Sequence, residues 1–109
     1  MVKKKKFSKI TLSTSSKDGR VISIARQIIE ILSSLEVETS HDKSLLSLNK
    51  SKNSKLLSTK EIVTSSDLLI AIGGDGTMLN CSRIYGSKDV SLLGINLGKL
   101  GFLSDIAPD

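Results

Sequence analysis

Asp75 is an acidic residue within a run of glycines, Gly73-Gly74-Asp75-Gly76-Thr77. Glycines have no side chain, so their backbone N–H groups can approach a ligand closely. At the start of a helix, these N–H groups and the helix dipole favour an anion, most often phosphate. A carboxylate among such amides repels that anion, so a purely structural loop would gain little from it. Asp75 could instead hold a metal that bridges phosphates, accept a proton from an attacking hydroxyl group, or only stabilise the turn.

Phosphoryl transfer is the reaction that best accommodates this carboxylate. Its transition state is loose and the proton of the attacking hydroxyl group can leave late, so a carboxylate serves mainly by orienting the nucleophile. Asp75 is therefore the candidate catalytic residue. The adjacent glycines, Gly74 and Gly76, let the backbone come within hydrogen-bonding distance of the ligand.

The segments around Asp75 predict a strand before it and a helix after it. Residues 68–72 form an unbroken apolar run, typical of a strand buried on both faces, and a helix is expected over about 78–85. Residues 90–95 repeat the strand pattern and lead into a second glycine-rich segment, 96–103. Strands that alternate with helices in this order predict an α/β fold with a parallel sheet, whose ligands bind beyond the carboxyl ends of the strands.

The first sixty residues predict simpler elements of the same domain. We expect a strand over 7–12, a helix over 20–35 capped by Ser15 or Ser16, and a short strand over 37–40. Apolar residues recur at helical spacing in the helix: Val21, Ile24, Ala25, Ile28, Ile31, Leu32 and Leu35. Residues 41–60 are rich in Ser, Lys and Asn, which predicts a mobile loop with a short helix near 58–65. His41, at the start of that loop, is expected to be solvated.

The charge distribution and the numbers of cysteine and histidine residues limit the partners and the sites that the chain can have. The chain has 109 residues and a net charge of +5, but five lysines within the first nine residues account for the excess, and the remaining 11 basic residues match the 11 acidic ones. The basic residues 1–6 therefore predict a solvated tail on a single domain over 1–109, with no nucleic acid and no membrane among its partners. The alternative for the tail is non-specific attraction to phosphate. With one cysteine (Cys81, expected in the core) and one histidine, we expect no disulfide, no metal site and a cytoplasmic location.

Two common nucleotide-binding fingerprints are absent from the sequence, the P-loop pattern G-x-x-x-x-G-K-[ST] and the dinucleotide pattern G-x-G-x-x-G. The motif Gly73-Gly74-Asp75-Gly76-Thr77-Met78-Leu79 instead resembles the GGDGT motif of the NAD kinase family. The segment from Gly94 to Asp105 (GINLGKLGFLSD) resembles that family's second motif. The resemblance is dense over 66–109 and topological over 7–65.

The resemblance implies a Rossmann-like N-terminal domain and phosphorylation of the 2′-hydroxyl group of the adenosine ribose of NAD, giving NADP, with ATP or polyphosphate as donor. Asp75 would be the proton acceptor and Gly76 would lie beside it in the NAD site, while Phe102 would pack on adenine; the alternative for Phe102 is a core anchor. Asn80 stands where relatives often carry a basic residue. Mg²⁺ would arrive with ATP, and the full-length protein would be a homo-oligomer.

The same family continues into an all-β domain with an Asn-Glu or Asn-Asp motif. The resemblance therefore implies that residues 1–109 are the N-terminal domain alone, with the all-β domain absent, and are inactive in isolation. Two alternatives remain open at this point: a lipid or sugar kinase that uses the same GGDGT loop, and a non-catalytic nucleotide-binding module.

Overall fold

The protein forms a five-stranded parallel sheet with helices on both faces. The computed structural model describes residues 7–50, 52–86 and 90–99. The strands are β1 (Lys9–Ser13), β2 (Glu38–His41), β3 (Lys55–Leu56), β4 (Leu68–Gly73) and β5 (Ser91–Asn96). The α-helices are α1 (Arg20–Ser34), α2 (Thr59–Ser65) and α3 (Asp75–Tyr85). All neighbouring strands pair in parallel, so the predicted α/β fold is confirmed.

The interior strand β4 separates two hydrophobic clusters. All six of its residues are buried. Leu68, Ile70 and Ile72 join a cluster with the buried face of α1, and Leu69 and Ala71 join a second cluster with α2 and α3. Side chains of a strand point alternately to opposite faces, so an apolar residue at every position is what a sheet covered on both sides requires.

The strand order places a crevice beside β1. The order is β3-β2-β1-β4-β5, so the chain first builds outward from β1 on one side and then returns to build on the other. At such a reversal the connections after the two central strands, here β1 and β4, diverge to opposite faces and leave an opening at the carboxyl edge of the sheet. The segments that begin at Thr14 and at Gly74 border this opening.

Residues 41–60 differ from the predicted loop. They contain 3-10 turns over Lys43–Lys50, with a break at Leu45, and then the edge strand β3. Leu45 and Leu48 are buried in the α1 cluster, so these two leucines anchor the segment against the core. The predicted solvation of His41 is wrong, because it ends β2 fully buried and its Nδ1 lies 2.7 Å from the Ser54 hydroxyl oxygen.

The helices differ from their predictions mainly at the ends. The N-cap of α1 is Gly19, which makes no side-chain capping bond, so Ser15 and Ser16 are not its caps. Ile31 and Leu35 are exposed although the predicted stripe includes them. The predicted short helix is confirmed as α2. None of the described helices is both long and apolar enough to cross a membrane.

Candidate functional site

The first turn of α3 presents backbone donors at the carboxyl edge of the sheet. Gly74 is the N-cap, and its carbonyl oxygen accepts hydrogen bonds from the N–H groups of Thr77 and Met78, both at 3.1 Å. The N–H groups of Asp75 and Gly76 have no preceding helical turn to bond to. Together with the dipole of this 11-residue helix, they favour an anion in front of Gly74.

The absence of a side chain at Gly73, the last residue of β4, lets Thr77 of the following turn pack closely against it. A Cβ atom on Gly73 would lie 2.3 Å from Oγ1 and 2.7 Å from Cβ of Thr77, closer than atoms can approach without a shift. By contrast, a Cβ on Gly74 or Gly76 would have no neighbour within 4 Å. Gly73 is thus required by the packing of the turn, whereas Gly74 and Gly76 leave open space where a ligand can approach the backbone.

Asp75 is exposed, and a neighbouring side chain fixes its carboxylate. Asn96 donates from Nδ2 to Oδ1 of Asp75 at 2.8 Å, while its own Oδ1 accepts from the N–H of Gly98 at 2.9 Å. Since the amide oxygen of Asn96 is held by an N–H donor, its NH₂ group faces Asp75. Asn96 therefore connects the GGDGT turn to the second glycine-rich segment.

Asn96 was not singled out by the sequence analysis, although the strands contain a signal for it. It ends β5 directly opposite Gly73 in the parallel register. Asn96 and the GGDGT turn thus leave adjacent strands at the same edge. A polar residue at the end of a strand beside the one that leads to Asp75 is a candidate partner for it.

A second wall of the site follows β1. The Ser15 hydroxyl group donates to Thr77 Oγ1 at 3.0 Å, and the Thr14 hydroxyl group donates to the carbonyl oxygen of Ile72 at 2.5 Å. Between this wall and α3 lies an open cleft of about 620 Å³. It is lined by Ser15, Ser16, Gly74, Gly76, Thr77, Leu79, Asn80 and Arg83.

Arg83 adds a cation to the cleft that the sequence analysis did not identify. It lies on α3 three residues after Asn80, so the two residues share one face of the helix. The family resemblance implies a basic residue at the position of Asn80, and Arg83 brings a basic side chain to the same cleft. Hydroxyl groups, free amides and one arginine form a lining suited to phosphate groups.

The other predicted site residues have separate outcomes. Gly74, Asp75 and Gly76 lie together at the start of α3 as expected, while Phe102 lies outside the described residues. Cys81 is buried in the α2–α3 cluster, which confirms its packing role, and burial raises the pKa of its thiol. Within residues 7–50, 52–86 and 90–99, no three His, Cys, Asp or Glu side chains form a group that could hold a metal ion.

Comparisons with known proteins agree with this architecture. The family model of the ATP-NAD kinase N-terminal domain matches residues 4–109. A protein of Geobacter sp. strain M21 named NAD kinase is 35% identical over 105 residues, which are 94% of this chain and 36% of that protein. The NAD kinase of Saccharophagus degradans is 37% identical over 84 residues, covering 77% of this chain and 29% of its own. The chain thus spans about a third of the length of these relatives.

A solved structure shares the fold. The crystal structure of yeast NADH kinase complexed with NADH matches 91% of this chain and 32% of its own, with a TM-score of 0.70 and 22% sequence identity. The parallel sheet and its helices are therefore an arrangement that another chain also adopts.

Proposed function

Because this chain belongs to the ATP-NAD kinase N-terminal domain family, we propose that the protein carrying it transfers a phosphoryl group from ATP to NAD, giving NADP. The acceptor is the 2′-hydroxyl group of the adenosine ribose. One observation carries the proposal: Asp75 places an exposed carboxylate, held by Asn96, at the phosphate-favouring end of α3. That juxtaposition lets a sugar hydroxyl group and a phosphate meet beside one proton acceptor.

Asp75 is the proposed proton acceptor of the reaction. The ribose oxygen forms a bond to the γ-phosphorus of ATP, the bond from that phosphorus to the β–γ bridging oxygen breaks, and the hydroxyl proton passes to Asp75. Since Oδ1 accepts from Asn96, Oδ2 is the oxygen available to the hydroxyl group. ADP and NADP are the products.

The backbone at the start of α3 is the proposed phosphate cradle. The N–H groups of Asp75 and Gly76 donate to phosphate oxygens, and the absence of side chains at Gly74 and Gly76 lets those oxygens approach. Arg83 adds positive charge on the same side of the cleft. These groups offset the repulsion between the phosphates and Asp75.

The residues present fit a magnesium ion that enters with ATP. The described residues that line the cleft include no Asp or Glu, and Mg²⁺ that accompanies a nucleotide is commonly held by substrate phosphates and water with only one or two carboxylates. The ion would be held by the donor phosphates and water and would neutralise charge on those phosphates, and Asp75 keeps the role of proton acceptor. Two further roles come from the family resemblance alone: Phe102 packs on adenine, and the full-length protein is a homo-oligomer.

Product formation with competing acceptors tests the proposal. The natural protein that carries this chain is offered ATP with NAD, NADH, diacylglycerol or fructose phosphate in parallel, and polyphosphate replaces ATP in a second series. We expect NADP from ATP and NAD, detected with an NADP-specific dehydrogenase. Phosphorylation of the lipid or sugar with NAD left unmodified would contradict the proposal.

Residues 1–109 by themselves provide a separate test. The chain corresponds to about a third of its relatives' length, and we propose that it does not form NADP in isolation. Turnover by the purified 109-residue chain would overturn this part while leaving the assigned reaction intact.

A further inference from the structure

A buried carboxyl group outside the proposed catalytic residues lies at the end of β2. Asp42 is 8% exposed. Its Oδ2 accepts from the hydroxyl groups of Ser13 at 2.5 Å and Tyr85 at 3.2 Å, and its Oδ1 accepts from the backbone N–H of Ser44 at 2.9 Å and from the Ser44 hydroxyl group. Four donors satisfy this carboxyl group, and no step of the proposed reaction uses it.

Ser44 connects Asp42 to the wall of the cleft. The N–H of Thr14, a buried residue, donates to Ser44 Oγ at 2.9 Å. The Thr14 hydroxyl group donates to the Ile72 carbonyl oxygen and accepts from the N–H of Ser16 at 3.0 Å. Hydrogen bonds therefore run without a break from Asp42 to the backbone that carries the cleft residues Ser15 and Ser16.

Ser15 and Ser16, here called the serine wall, face α3 across the cleft. Ser15 is exposed and Ser16 half-buried, and the opposite side offers the free amides of α3 and the guanidinium group of Arg83. The Ser16 hydroxyl oxygen accepts from the Asp18 N–H and keeps its own proton for a phosphate oxygen, and the Ser15 hydroxyl group would exchange its bond to Thr77 Oγ1 for one to phosphate. The position of the wall depends on Thr14, since the N–H of this buried residue would lose its acceptor without Ser44.

We propose that the serine wall binds the phosphate groups of a nucleotide and that Asp42, acting through Ser44, is a positioning residue for it. The proposal rests on the proposed function for the choice of nucleotides, ATP and NAD. It adds a second ligand-binding element, from the other side of the crevice, to the GGDGT turn. It also assigns Asp42 a role in nucleotide binding.

Ser44→Ala is the first test, made in the natural protein. It removes the acceptor of the Thr14 N–H, and we expect KM for ATP or for NAD to rise roughly 3- to 10-fold, as the loss of one hydrogen bond implies. The value of kcat at saturation should stay within about twofold, because Asp75 and Asn96 are not altered.

Tyr85→Phe is the matched control. It removes a hydrogen bond to the same carboxyl group, but on the α3 side, where no bond leads to Thr14. Both KM values should remain close to those of the unmodified protein even where thermal stability falls. A role of Asp42 in stability alone would make the two variants behave alike.

A pair of Asp42 variants gives a further readout. Asp42→Ala should raise the same KM at least as much as Ser44→Ala. Asp42→Asn should restore most of the affinity, since its amide oxygen can accept from the Ser44 N–H while its NH₂ group faces the two hydroxyl groups, which can also accept. Where Ser44→Ala or Asp42→Ala does not fold, the double variant of the exposed wall, Ser15→Ala with Ser16→Ala, takes its place.

The outcomes separate this inference from the proposed function. A raised KM for ATP assigns the wall to the donor, and a raised KM for NAD assigns it to the acceptor; both support the inference. The inference is overturned if Ser44→Ala or the double wall variant leaves both KM values unchanged. It is also overturned if Tyr85→Phe raises KM as much as Ser44→Ala does. If the unmodified protein forms no NADP, the proposed function fails, and dissociation constants for ATP and NAD from calorimetry decide the inference on the same variants.

Discussion

Among single residues, Asn96 makes two different contacts through the two polar groups of its side-chain amide. Its oxygen holds the Gly98 N–H, and its NH₂ group holds Asp75. Asn96→Asp keeps the first contact and replaces the second with a repelling oxygen. We expect kcat for NADP formation to fall about tenfold or more through misorientation of Asp75, with KM for both nucleotides within about threefold.

Steady-state kinetics together with a thermal melt check this expectation. Asn96→Ala, which loses both contacts, is the comparison: it should reduce kcat and also lower the melting temperature. Wild-type kcat in Asn96→Asp would show that Asp75 needs no partner to be oriented.

Some residues of the site can be identified from the sequence, and others only from the structure. Asp75 and its glycines are contiguous, so their chemistry is visible in a single turn. Asn96 lies 21 residues away and joins them only through the register of β4 and β5. Asp42 and Ser44 are harder still, because their link to Thr14 requires the packing of a segment whose composition predicts a loop.

At the scale of elements, the join between β4 and α3 depends on Gly73. Gly73→Ala should lower the free energy of unfolding by about 1–3 kcal/mol, because the new Cβ would lie 2.3 Å from Thr77 Oγ1 and force the turn apart. Gly74→Ala is the control, since its Cβ would meet nothing within 4 Å. We expect its effect on stability to stay within about 0.5 kcal/mol.

Urea unfolding of both variants measures this difference. Equal stabilities of the two alanine variants would show that the close approach of Gly73 to Thr77 is not a constraint on the fold. Nucleotide affinity is the second readout, because the same Cβ at Gly74 lies where phosphate is proposed to bind.

The elements themselves were mostly predictable, for reasons of period and length. The apolar run of β4 and the helical stripe of α1 are strong local patterns, so both were located to within one residue. The sequence predicts that α3 starts at about residue 78, whereas the helix begins at Asp75, because glycines disfavour a helix locally and here occupy its first turn. Leu45 and Leu48 fall in the predicted loop, since two leucines among polar residues show no helical or strand periodicity.

At the scale of the whole molecule, Tyr85 couples stability to alkaline pH. It ends α3 with a buried side chain, and burial, with the negative charge of Asp42, raises its pKa to about 12. An unfolded tyrosine titrates near pH 10. The folded protein therefore keeps a proton that the unfolded chain loses, and this contribution to stability is present below about pH 10 and is lost between about pH 10 and 12.

Urea unfolding at pH 9, 10 and 11 tests this coupling. The free energy of unfolding should decrease with pH more steeply in the unmodified protein than in Tyr85→Phe, which has no phenol to titrate. Parallel pH profiles for the two proteins would contradict the assignment.

Asp75 is proposed to accept the proton of the ribose hydroxyl group, and the turnover of Asp75→Asn in the natural protein measures this role. The amide has nearly the same shape but is a poor proton acceptor, so we predict a loss of at least about 100-fold in kcat for NADP formation. The dissociation constant for ATP should not increase, since a negative charge near the phosphates is removed. The circular dichroism spectrum should be unchanged. Near-normal turnover in Asp75→Asn would show that Asp75 is not the proton acceptor and would favour a module that binds nucleotides without catalysis by this residue.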